Sequence, residues 1–299
     1  MVAAASLLMI LLILRFPDMA ISASRTAITV WGRDVVPSLF PYMVLCKTTA
    51  SRLSAGRLPV VPLTVALGWL GGSPSGAAML SASASRLERR QLHALSALTG
   101  TISPMFFLGT MRTWGLDGGN CLRLLLAHWM GAAFACLCVW HFSWINDAPD
   151  MPQTAKRTEN PIVDSVQAVM GVGGCIVFFS VLASCIGVCL PFLSEEGVAG
   201  LHALLEIAGG LRAWLNLRSL SLGKLVCVAA LTGFGGFSIL AQNRLFLQPC
   251  GITQFRLMGF ACLRAIGAGA AMLIICLAMD AGHADFSARA AQFDWLVPG

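Results

Sequence analysis

Two clusters of glycine and small polar residues break otherwise apolar stretches: Gly71-Gly72-Ser73-Pro74-Ser75-Gly76 and Gly233-Phe234-Gly235-Gly236-Phe237-Ser238. Glycine tolerates almost any backbone angle, and proline lacks the N–H that a helix interior needs, so neither cluster continues a regular helix comfortably. A helix interrupted there leaves half-helix ends. The N-terminal end of a half-helix has unpaired N–H groups and a partial positive charge. It can hold a carboxylate without a full positive charge nearby. Ser73, Ser75 and Ser238 add hydroxyls, and Gln242 and Asn243 add amide donors and acceptors. For either break alone, close helix packing through small residues is an equal explanation. Both breaks together favour a binding site.

Other polar residues are open to two readings. Glu206, in Leu204-Leu205-Glu206-Ile207-Ala208-Gly209-Gly210, is either a carboxylate facing the interior of a bundle or one solvated near an interface. Asp164 begins an apolar run and is expected to cap a helix. The five histidines, at 93, 128, 141, 202 and 283, are scattered, and packing or interfacial roles suit them better than catalysis. Eight cysteines, 136, 138, 175, 185, 189, 227, 262 and 276, lie within apolar runs without a CxxC pair and read as small apolar residues. There is no phosphate-binding GxxxxGK[ST], no HExxH and no GxSxG. No catalytic residue, metal site or cofactor is expected, and the chain does not read as an enzyme.

The elements that must carry these residues are membrane helices. Of 299 residues, 57% are hydrophobic and 11% charged, against roughly 25% charged in soluble domains. Too few polar side chains remain to coat a soluble core, so the outer surface must meet a lipid bilayer. The formal charge of +6 is spread in small groups between apolar runs. That pattern argues against nucleic acid as a partner and fits basic loops beside a membrane.

Along the chain, Val2 to Leu14 is apolar and is read as a retained first span rather than a cleaved signal. Ala20 to Asp34 has the mixed pattern of an interfacial amphipathic helix. An apolar run with Pro37 and Pro41 follows. Leu58 to Ser83 is long enough to span but carries the first break, and Arg86 to Leu98 reads as a surface helix. Thr99 to Gly109, containing Thr101, Ser103 and Pro104, reads as an interrupted or re-entrant piece. Leu122 to Trp144, Val163 to Leu190, Leu222 to Phe246 and Leu257 to Met279 read as spans, the third carrying the second break. Gly197 to Leu217 is mixed. A polar linker divides the chain, giving a first membrane half (1–145), a linker (146–160), a second membrane half (161–280) and an exposed tail (281–299).

The fold class expected is an all-α polytopic membrane bundle of two structurally related halves with broken or re-entrant helices. Gly71-Gly72 and Gly235-Gly236 repeat at an offset of 164, within Ala66-Leu67…Ala77 and Ala230-Leu231…Ala241. Gly/Pro-interrupted segments at matching places in two halves point to a transporter's binding site. Substrate-binding candidates are therefore Gly71, Gly72, Ser73, Pro74, Ser75, Gly76, Thr101, Ser103, Pro104, Glu206, Gly235, Gly236, Ser238, Gln242 and Asn243.

Val35-Val36-Pro37-Ser38-Leu39-Phe40-Pro41-Tyr42, the first glycine cluster and Ser103-Pro104-Met105-Phe106-Phe107-Leu108-Gly109 occur in order. They are followed by Leu205-Glu206-Ile207-Ala208-Gly209-Gly210 and by the second cluster with Gln242. Together they resemble the YlbJ-type sporulation integral membrane proteins, of the nucleoside-recognition (Gate) membrane domain group. The resemblance spans roughly residues 1 to 280. It departs from the family's pattern at Gly100-Thr101, where asparagines are usual, and at Ala208, where a hydroxyl is usual. It implies a multi-pass protein of the cell membrane, or of the membrane around the forespore. It also implies transport of a small solute, with the planar aromatic dicarboxylate dipicolinate as leading candidate. A nucleoside-type solute, a non-transporting structural role in the spore envelope and self-association as a homo-oligomer stay open.

Overall fold

A computed structural model describes residues 2–53, 60–142, 160–217 and 220–293. Most of the 146–160 linker lies outside the described residues, as do the side chains of the tail. Among the described residues the chain is helical, without a strand. The first part contains α1 (Val2–Arg15), α2 (Pro17–Val30), α3 (Val36–Leu53), α4 (Val60–Gly71), α5 (Ser75–Ser83), α6 (Arg89–Thr99), α7 (Met111–Thr113) and α8 (Gly118–His141). After the linker come α9 (Pro161–Cys189), α10 (Glu195–Leu205), α11 (Ile207–Leu217), α12 (Leu222–Phe234), α13 (Gly236–Leu247) and α14 (Gln254–Phe293).

Four stretches among the described residues are long and apolar enough to cross a bilayer: Gly118–His141, Pro161–Cys189, Leu222–Cys250 and Gln254–Met279. Large apolar side chains face outward, including Leu137, Phe192 and Phe255. With so many spans and so apolar a surface, the chain is a multi-pass α-helical membrane protein. The helix starts follow local chemistry. Asp117, Ser194 and Ser221 each accept an N–H bond from the first turn of α8, α10 and α12. At α9 the cap is Asn160, bonded by the N–H groups of Ile162 and Val163, with Pro161 in the first turn. Asp164, expected as that cap, lies within the helix, because the asparagine ahead of the proline already takes the free donors.

Leu58 to Ser83, long enough by sequence to span, folds back on itself. A Cβ on Gly68 of α4 would stand 3.4 Å from Gly76 Cα of α5, so the two helices lie side by side as a hairpin. Arms of 12 and 9 residues reach about 18 and 14 Å, roughly half of a 30 Å hydrocarbon core. The mixed stretch Gly197 to Leu217 does the same. A Cβ on Gly210 of α11 would fall 1.9 Å from Ala203 N of α10, and the arms have 11 residues each.

Each hairpin is followed by an interrupted helix and then a long one. α6 runs antiparallel to α8. Arg90 Nε donates to Trp140 O at 2.8 Å near one end of α8, and Ile102 N, just past α6, donates to His128 Nε2 at 2.9 Å nearer the other. Residues 100–103 leave the helix. Leu92 to Ala97 are buried, so α6 is no surface helix; of its residues only Arg90 is exposed. In the second part, α12 and α13 continue in one direction across Gly235 and pack antiparallel to α14, with Gly233 against Ala265 and Gly269 against Ala230. α8 and α14 cross closely where Gly131 meets Ala268 and Gly267 meets Phe134. One face of α2 packs along α9, burying Ala20 and Ala27, while the other, with Ile21, Arg25 and Ile28, is exposed; just beyond α2, Trp31 Nε1 donates to Val169 O at 3.1 Å.

Candidate functional site

Each hairpin tip packs on the helix interruption that follows it. At the first tip, Ser73 N donates to Thr101 O at 2.6 Å, and a Cβ on Gly72 would lie 2.3 Å from Ser103 N. Gly72 has φ +65°, which only glycine adopts readily. At the second tip, a Cβ on Gly236 would meet Ala203 O at 3.3 Å and Leu204 O at 3.4 Å. Gly235 and Gly236 have φ +86° and +80°. These glycines therefore do two things: they reverse or interrupt the chain, and they let backbone meet backbone.

The fold gathers the predicted residues into one region. Gly71 through Gly76 form the first tip, with Ser75 and Gly76 opening α5. Thr101 and Ser103 lie in the non-helical stretch that meets it, and Pro104 opens the helical turn that follows. Ser238, Gln242 and Asn243 are buried on α13, where Gln242 Nε2 donates to Ser238 Oγ at 3.1 Å. Residues far apart in the chain meet directly: Ser73 Oγ donates to Asn243 Oδ1 at 2.5 Å. Ser75 turns away from this group, toward Met43 Sδ at 3.6 Å.

Glu206 is the apex of the second hairpin and is 9% exposed. Its carboxylate accepts N–H bonds from Ala208 at 3.1 Å and Gly209 at 2.8 Å. The half-helix N-terminus of α11 thus holds an anion, but the anion is the chain's own. Of the two sequence readings of Glu206, the interior one holds, and its oxygens serve the start of α11.

Residues outside the predicted set complete the region. Arg264 of α14 is 2% exposed and donates from Nε to Gly233 O at 3.2 Å and from Nη1 to Ala97 O at 3.3 Å. It joins the last turns of α6 and α12. His128 is buried beside the first interruption, on Ile102 N. Tyr42 reaches from α3 to Leu67 O beside the first tip. A single arginine in the apolar run Leu257 to Met279 was a readable signal. Tyr42 stood out only as the last residue of the motif at 35–42, and His128 carried no signal. Among the described residues there is no group of three or more His, Cys, Asp or Glu suited to a metal, and the described cysteines are free thiols.

The arrangement defines a polytopic membrane protein whose polar residues converge where two half-length hairpins meet two interrupted helices. The chain is similar to the sporulation integral membrane protein YlbJ of Bacillus subtilis (strain 168). It is 24% identical to that protein over 297 aligned positions, covering 77% of this chain and 71% of the relative. No protein-family model matches, and no solved structure matches.

Proposed function

We propose that this protein is a membrane transporter or facilitator for a small polar solute, acting in sporulation, and that it is not an enzyme. The solute class proposed is an anionic aromatic carboxylate of the dipicolinate kind. The membrane is the cell membrane or the one surrounding the forespore. The similarity to a sporulation membrane protein supports the setting. The motif resemblance supports placement in the nucleoside-recognition (Gate) membrane group.

The observation that carries the transport reading is the bond between Ser73 at the first hairpin tip and Asn243 on α13. It puts polar groups from both parts of the chain at the point where half-length helices end. Irregular backbone at such depth is tolerated where protein or a solute path surrounds it. The order hairpin, interrupted helix, long helix occurs twice, with α8 and α14 antiparallel. We read this as two related halves of opposite orientation, a plan common in secondary transporters. On this plan the first tip (72–74) corresponds to Glu206, and residues 101–103 correspond to Gly235. The element offset is then about 134, by 206 − 72 and 235 − 101. The two glycine pairs at offset 164 are breaks of different kinds, one a hairpin turn and the other an interruption in a continuing helix.

The test is flux into proteoliposomes across a panel of aromatic carboxylates and nucleosides. Uptake of a carboxylate supports the proposal, and uptake of nucleosides alone corrects the solute class. No flux of any solute, together with an unchanged sporulation phenotype when Ser73, Ser75, Glu206 and Gln242 are replaced together, overturns it in favour of a structural role in the spore envelope.

A further inference from the structure

Arg264 is the lone charge between Leu257 and Met279. Its two bonded partners, Gly233 O and Ala97 O, are carbonyls near the C-terminal ends of α12 and α6. Such ends carry partial negative charge, which favours a cation but does not neutralise one. Among the described residues no carboxylate pairs with it, and the buried Glu206 commits both oxygens to backbone N–H groups. A guanidinium has five N–H donors, and these bonds engage two. An unpaired charge inside a membrane protein is expensive to hold and by default marks a solute path.

A second observation falls on the same stretch of chain. Thr101 Oγ1 and His128 Nδ1 are buried without a hydrogen-bond partner, in residues 0% and 1% exposed. His128 Nε2 accepts from Ile102 N and so carries no proton. A neutral ring must then carry its proton on Nδ1, which makes that atom a donor. Arg264 bonds Ala97 and lies beside Gly100, where a Cβ would come within 2.9 Å of Nη1. Residues 97–102 therefore gather a cation, a hydroxyl and an imidazole N–H. All three are hydrogen-bond donors of the kind a carboxylate accepts from, and glycine at 100 spares the guanidinium a Cβ that would lie 2.9 Å from Nη1.

We propose that Arg264, Thr101 and His128 form the subsite that takes a carboxylate of the solute, so that Arg264 selects anionic over neutral solutes. This rests on the transporter reading above. Arginine suits the task because its planar fork matches a carboxylate, which lysine does not.

The test uses the full-length protein, in detergent and in proteoliposomes, with pyridine-2,6-dicarboxylate and its uncharged dicarboxamide as paired probes. In the wild type the dicarboxylate raises the thermal midpoint and is carried in preference to the dicarboxamide. Arg264→Gln lowers that preference by on the order of tenfold or more. Arg264→Lys lowers it less, and so does Thr101→Val, which keeps the charge. A merely structural clamp between α6 and α12 would change both probes alike. If Arg264→Gln does not fold, Thr101→Val and the wild-type preference carry the test. Equal binding of both probes by the wild type, or an unchanged preference in Arg264→Gln, overturns the subsite. Dicarboxylate binding without flux of any solute overturns the transporter reading and leaves the subsite standing.

Discussion

The Ser73 hydroxyl donates to Asn243 Oδ1 across 170 positions of sequence, joining the first hairpin tip to the helix that continues beyond the second interruption. If both groups serve one site, their effects are coupled. Ser73→Ala and Asn243→Ala should each lower flux, and the double variant should be little worse than either alone. The coupling expected from one such hydrogen bond is about 1 kcal/mol, readable in a double-mutant cycle of thermal or chemical unfolding. Strict additivity in both flux and stability would separate the two residues.

Gly72→Leu and Gly236→Leu should each abolish flux while the protein still inserts. The alanine variants should differ from one another. At Gly72 the new Cβ would sit 2.3 Å from Ser103 N, so the tip must move. At Gly236 the nearest atom is 3.3 Å away, leaving mainly the strain of φ +80°, about 1–2 kcal/mol. Gly72→Ala is therefore the more damaging, and flux per inserted protein measures it. The reverse order would mean that the first tip is not packed as described.

Glu206→Ala removes both acceptors at the start of α11, from the N–H of half-buried Ala208 and of exposed Gly209, a loss of about 0.5–2 kcal/mol as for other N-terminal caps. Glu206→Gln keeps one acceptor oxygen and should lose less. Thermal unfolding in detergent ranks the two variants. Flux by Glu206→Gln should survive in proportion to folded protein. Its loss at an unchanged midpoint would reassign the carboxylate from capping to solute or proton handling.

Gly210→Ala should unfold the second hairpin, since its Cβ would fall 1.9 Å from Ala203 N. Gly174→Ala, on α9 with nothing within 4 Å, is the control. It should leave the unfolding free energy within about 0.5 kcal/mol of the wild type. Equal midpoints for the two variants would rule out the close approach of α10 and α11.

What the sequence determines by itself follows from composition and local backbone chemistry. Long apolar runs with few charges require lipid-facing helices, because no other backbone arrangement but a closed barrel satisfies its hydrogen bonds there. That made Gly118–His141, Pro161–Cys189 and Gln254–Met279 legible to within a few residues. Glycine and proline clusters marked where helices stop, and they also picked out the polar residues beside the stops. Whether a stop is a turn or a gap in a continuing helix is another matter. Gly71-Gly72 and Gly235-Gly236 look alike in sequence, yet α4 and α5 fold back on each other while α12 and α13 run on. The difference is made by partners far along the chain: Thr99, Thr101 and Ser103 against the first tip, Ala203 and Leu204 against the second interruption. The same holds for Glu206. Its neighbours in sequence allowed a solvated or a buried carboxylate, and only the folding of α10 onto α11 encloses it. Arg264 was visible as a lone charge in an apolar run. That it joins α6 to α12, beside Thr101 and His128, was decided by the tertiary structure, because no local pattern specifies which carbonyls a long side chain will meet.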